Sequence, residues 1–130
     1  MKLSHAIASL PLMGAAAAVE MSRYAPTSDV EPAFASYLKE LYSSAEDTGA
    51  TTAFTDFFTA TGQLLVLGSV ATGAEAIVAL KQQLLPAAGT KHWNHHPNAT
   101  AVDSETAGQK TYQVLGVIET RFDGGNCSQA

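Results

Sequence analysis

Cysteine is almost missing: Cys127 is the only one in 130 residues. No internal disulfide framework can form, so a hydrophobic core has to supply the stability. Basic residues are also few, seven against twelve acidic ones, for a formal charge of −5. That balance argues against a nucleic-acid binder, which relies on basic patches to meet phosphates. No apolar run reaches the about 20 residues of a membrane span. Glycine-rich phosphate loops and a G-x-S-x-G turn are absent as well, which removes the common nucleotide and serine-hydrolase signatures. Internal repeats are absent too.

The first thing present is an N-terminal pattern. Lys2 precedes a short apolar run, Ala6–Ala18, which ends on Ala16-Ala17-Ala18. This reads as a secretory signal peptide over 1–18 and predicts a secreted, extracellular protein with no membrane anchor. Cleavage leaves 112 residues and removes Lys2, taking the charge from −5 by one unit to −6. In a secreted chain the triplets at Asn98 and Asn126 become glycosylation candidates. Unpaired Cys127 suggests an intermolecular partner, or one outside this chain. Residues 19–29, polar with Pro26, read as an extended arm, and 30–130 as one domain.

Ser28-x-x-Glu31 has the form of a capping box, with Pro32 in the first turn. Val30, Phe34, Tyr37, Leu38, Leu41 and Tyr42 then fall on one helical face, and Thr48-Gly49 ends the helix. Thr51–Asp56 predicts a short second helix. Phe57–Ala60 and Leu64–Leu67 read as two strands around the Thr61-Gly62 turn. Thr72-x-x-Glu75 is a second capping box, leading a helix with Ile77, Leu80, Leu84 and Leu85 that Pro86 stops. A β-like segment follows (KHWNHHPNAT, 91–100), continuing to Val102. Ser104–Gln109 reads as a turn. Thr111–Phe122 alternates as a long strand, with Gly116 a bend or bulge, and Asp123–Asn126 is a turn signal. Helices followed by long antiparallel strands predict an α+β domain.

This order resembles the NTF2-like fold, and within it the SnoaL-like polyketide-cyclase and scytalone-dehydratase-like proteins, small secreted fungal SnoaL-like proteins above all. The residues that carry the resemblance are Phe57–Leu67 (FFTATGQLLVL) and the helix start Gly73-Ala74-Glu75-Ala76-Ile77. It covers roughly Val30–Phe122. It implies a cone, in which a curved antiparallel sheet wraps around the N-terminal helix and leaves a pocket. Family members bind small hydrophobic molecules there or perform cofactor-free acid–base chemistry such as dehydration and isomerisation, and they commonly form homodimers through the sheet. The family's cone has one or two further strands after Phe122. Here the expectation is a C-terminally truncated cone with an exposed edge, or a sheet completed by a partner.

The histidine-rich segment can then be weighed. His92 and His96 have the i, i+4 spacing of helical zinc ligands, but in a strand they would lie about 13 Å apart, so no metal is expected. Alternation puts Trp93, His95, Pro97, Ala99 and Ala101 on one face and His92, Asn94, His96, Asn98 and Thr100 on the other. A bulge near Pro97 would shift that phase. A glycan on Asn98 would face solvent, leaving Trp93 and His95 for the pocket. His95 could act as a general base or donor, or simply be a hydrogen-bonded, half-buried histidine. Asp56, set among aromatics, could orient it, or merely end the short helix. Tyr37, Tyr42, Phe57, Val114 and Ile118 complete the expected pocket, with a plain core role the alternative for the two tyrosines. Tyr42 is followed by Ser43, so the scytalone-dehydratase Tyr-Asp pair is missing. Gln113 and Glu119 could line either face. The competing reading is a non-catalytic secreted scaffold of the same fold.

Overall fold

The apolar spacing of the first helical segment does produce a helix, although its start is not the one the capping signal suggests. In the computed structural model, which describes residues 19–124, helix α1 spans Ala33–Glu46 and buries Phe34 and Leu38. The readings placed on Met1–Ala18, Asn126 and Cys127 lie outside the described residues. Pro32 occupies the N-cap and no side chain caps the helix. Glu31 is held elsewhere: the Tyr112 hydroxyl donates to its Oε2 at 2.5 Å, and Lys110 Nζ donates to Oε1 at 3.0 Å. Charge-assisted bonds of this kind outweigh a reach back to the local backbone.

Those bonds have a consequence at acid pH. The Tyr112 hydrogen bond first, then that of Lys110, holds the Glu31 carboxyl down at about 2, from 4.5. A lowered folded-state value contributes stability above 4.5 that is lost as pH falls through about 2. A Glu31→Gln variant is therefore expected to lose less stability than the wild type across that window. Urea midpoints measured along the acid limb check this; parallel limbs would count against it.

Thr52–Thr55 form the single turn of α2, with Thr51 at its N-cap. The next segment departs from expectation. Phe57–Ala60 is not a strand, because the chain keeps turning: Phe58 N donates to Thr55 O at 2.9 Å and Gly62 N to Thr59 O at 2.9 Å. The aromatic rings are used for packing instead, Phe58 edge-on to Phe54 and Phe57 edge-on to Tyr37. The hairpin lies further along, as β2 (Gln63–Val66) and β3 (Ser69–Thr72) joined by Leu67-Gly68. Both turn residues have positive φ, 51° and 87°, as a two-residue hairpin turn of type I′ requires. Helix α3 (Ala74–Leu84) starts from Gly73, again with no side-chain cap, so Thr72-x-x-Glu75 is not a working box either.

Two long strands complete the fold, β4 (Lys91–Thr106) and β5 (Gln109–Phe122). The expected turn Ser104–Gln109 narrows to Ala107-Gly108. Part of the N-terminal arm forms β1 (Ala25–Pro26), which pairs parallel to β4, so the sheet is mixed with order β1-β4-β5. Among the described residues β5 is an edge strand, with Leu115 and Val117 exposed.

The register of β4 on β5 shifts between Pro97 and Thr100, where Asn98 and Ala99 share one opposing residue. This bulge reverses the side-chain phase. His95 and Pro97 are buried before it, and Thr100 after it, while Ala99 is exposed. The strict alternation expected through Ala101 therefore holds only up to Pro97. Gly116 lies opposite Pro97 and lets the strands approach closely there.

Helix α1 links two apolar clusters. Val30, Phe34 and Leu38 pack with Val102, Tyr112 and Val114 of the sheet. Leu41 and Ala45, two turns on, pack with Phe54, Ala71 and Ile77 beneath the hairpin and α3. Burying a side chain such as Ile77 completely contributes about 1.5–3 kcal/mol.

Candidate functional site

Every fourth residue of α1 points the same way, and the row Phe34, Leu38, Tyr42, Glu46 starts in core and ends in a carboxylate. Glu46 Oε2 accepts the backbone N–H of His95 at 2.6 Å and faces His95 Nδ1 at 3.0 Å. Both side chains are only 10% exposed. An ionised carboxylate can only accept, so Nδ1 carries a proton, and in the neutral form of the ring the lone pair is at Nε2. The imidazole stacks on Tyr42, with centroids 4.2 Å apart, and Trp93 meets it edge-on at 6.3 Å. Burial raises the Tyr42 hydroxyl above its ordinary value.

Tyr42, Trp93 and His95 border a cavity of about 530 Å³ between the helices, the hairpin and the sheet. Leu41, Ala45, Phe54, Phe58, Leu64 and Leu84 supply much of its apolar wall. On the sheet side, cross-strand pairing places Trp93 beside Thr120 and His95 beside Ile118, and all four line the cavity. Leu67, at the hairpin tip, also lines it while 94% exposed, which marks the open side. A non-glycine residue at positive φ stores backbone strain, and here that strain sits at the cavity mouth.

Two lysines also line the cavity. Lys81 is 2% exposed, and its Nζ donates to Asp47 O at 2.6 Å and Ala50 O at 3.4 Å, tying α3 to the chain that follows α1. Burial pushes its ammonium below the ordinary value, with Asp47 acting the other way. Lys91 Nζ donates to Leu84 O at 2.8 Å at the end of α3 and lies over the rings of Trp93 and Phe122.

Of the residues expected to form the pocket, Trp93, Tyr42, His95 and Ile118 come together. Three others do not line the main cavity. Tyr37 is exposed and packs against Phe34 and Phe57. Phe57 makes that same edge contact, and Val114 belongs to the first core cluster and to a smaller cavity of about 130 Å³ behind Tyr42 and His95. Asp56 is exposed at the C-cap of α2 and does not line the cavity, so the carboxylate that meets His95 is Glu46. The sequence signal for Glu46 was its place four residues after Tyr42 on the inward row. Gln113 and Glu119 are both exposed.

The outer histidines have separate partners, His92 with Asp123 at 2.9 Å and His96 with Glu119 at 3.5 Å. Among the described residues no group of three or more His, Cys, Asp or Glu side chains could hold a metal ion. Asn98 is half-buried at the bulge, where its Oδ1 accepts the Ala99 N–H at 2.6 Å. No helix of the described residues is long and apolar enough to cross a membrane.

No curated protein and no solved structure matches the chain. The sequence model of the SnoaL-like domain matches residues 35–126, the stretch that builds the cavity from α1 to β5; the chain belongs to that family and has its α+β, NTF2-like architecture.

Proposed function

We propose that the cavity binds a small hydrophobic molecule and that His95, oriented by Glu46, transfers a proton to or from it. The reaction class is a cofactor-free lyase or isomerase step. The observation that carries this reading is the buried Glu46–His95 contact, which puts His95 on the wall of a mostly apolar cavity. The carboxylate fixes the ring and its tautomer, so Nε2 is the basic nitrogen offered to a ligand. Tyr42 also lines the cavity, and burial keeps its hydroxyl protonated, which supports a role as donor to an oxygen that gains charge. A cavity of this size is in the range of small-molecule sites, roughly 300–1,000 Å³.

The test uses a simple ketone, 2-tetralone, in D2O. Wild-type protein is expected to accelerate exchange of its α-protons, followed by NMR. His95→Ala is expected to lower that rate roughly 10²–10⁴-fold, the usual contribution of a positioned general base. Equal rates for wild type and His95→Ala would remove the catalytic reading and leave a binding protein.

The sequence pattern at 1–18 supports placing the protein outside the cell, with Asn98 as a glycan site. Exposed apolar residues on one face of β5 (Leu115 and Val117) support a homodimer joined through the sheet.

A further inference from the structure

The chain is acidic, yet the charged groups on its cavity wall are both cations. Lys81 and Lys91 line it, and no carboxylate does among the described residues. Glu46 stands behind His95 and is occupied by it. Of the four ion pairs among the described residues, only one involves a lysine, and that is Lys110. Lys81 and Lys91 are met by backbone carbonyls and aromatic rings, and neither has a carboxylate within ion-pair distance among the described residues. A partly desolvated ammonium without a counter-ion is costly, and an anion brought to it forms a strong charge-assisted hydrogen bond.

Of the two, Lys91 can reach a ligand. Lys81 is almost fully buried and two of its N–H bonds are taken. Lys91 is half-buried and has one N–H on Leu84 O, which leaves two. Its flanks are the rings of Trp93 and Phe122, so its ammonium sits against apolar surface rather than in open water. Thr120 occupies the next rung of the same sheet face and also lines the cavity.

We infer that the ligand of this cavity is a hydrophobic carboxylate, with its anionic end on Lys91 and its apolar part along the α1, α3 and hairpin walls. This inference rests on the binding reading given above and specifies its ligand class. Lys91 and His95 are four residues apart on β4, about 13 Å along the strand, so a carboxylate held at Lys91 leaves His95 facing carbons well down the chain.

The test is calorimetric titration of the full chain with decanoate and, separately, with decanol. Decanoate is expected to bind at least about tenfold more tightly, the scale of one charge-assisted hydrogen bond. Lys91→Met is expected to abolish that preference while keeping decanol binding, and Lys91→Arg to retain most of it. Equal affinity of wild type for the two compounds overturns the carboxylate inference alone. So does a preference that survives in Lys91→Met. If neither compound binds, the cavity reading fails together with it. The wild-type comparison decides the matter even if Lys91→Met does not fold.

Discussion

Gly116→Val is expected to cost at least about 3 kcal/mol of stability, the upper range of overpacking changes. The reason is local and does not depend on function. A Cβ at Gly116 would stand 2.5 Å from His96 O and 2.9 Å from Pro97 Cα. Both are backbone atoms of the paired strand, so no rotamer change can relieve the clash. Either β4 and β5 separate at the Pro97–Gly116 rung or the bulge beside it is lost. The bulge puts His95 and Thr100 on the buried side despite their odd spacing, so moving it also disturbs the cavity wall. Thermal unfolding should show a fall of roughly 12 °C or more, at about 4–8 °C per kcal/mol for a domain of this size. Gly116→Ala should give a smaller change of the same sign. A valine variant that melts within a degree or two of the wild type would mean that the strands do not approach this closely.

Glu46→Ala is expected to cost about 2–4 kcal/mol, because it strands two donors in a buried site. His95 would lose the acceptor for its backbone N–H and for Nδ1 in one change. Glu46→Gln is the informative companion. Both bonds go to Oε2, and an amide oxygen in its place can accept both, so most of the stability should return. Proton transfer should recover less, since a neutral amide neither fixes the ring tautomer as firmly nor stabilises an imidazolium. Urea unfolding and the tetralone exchange rate, measured on the same three proteins, separate the two effects. Stability and exchange that track each other through the series would reduce Glu46 to a structural residue.

The parts of this fold that could be read from sequence are those fixed by local periodicity. The inward face of α1, the α3 helix and the long strand β5 follow from spacing within about fifteen residues. The misreadings have long-range causes. Ser28-x-x-Glu31 matches a capping box in form, but Glu31 is claimed by Lys110 and Tyr112, 79 and 81 residues away. Phe57 and Phe58 have strand propensity, yet contacts with Tyr37 and Phe54 keep the backbone turning. At the site, Trp93 and His95 were legible because the alternation of β4 is intact up to Pro97. Aromatic neighbours in sequence point to Asp56 as the carboxylate for His95. Glu46 meets His95 across 49 residues, and only the packing of α1 on β4 brings them together.

The central claim is that Glu46 holds His95 with its proton on Nδ1 and a lone pair on Nε2. Long-range ¹H–¹⁵N NMR of the imidazole rings measures this directly. At neutral pH the wild type is expected to show His95 as the Nδ1–H tautomer with a pyridine-like Nε2, and Glu46→Ala is expected to lose that signature while His92 and His96 keep theirs. A wild-type His95 with its proton on Nε2, or one whose tautomer ignores the loss of Glu46, would contradict the account.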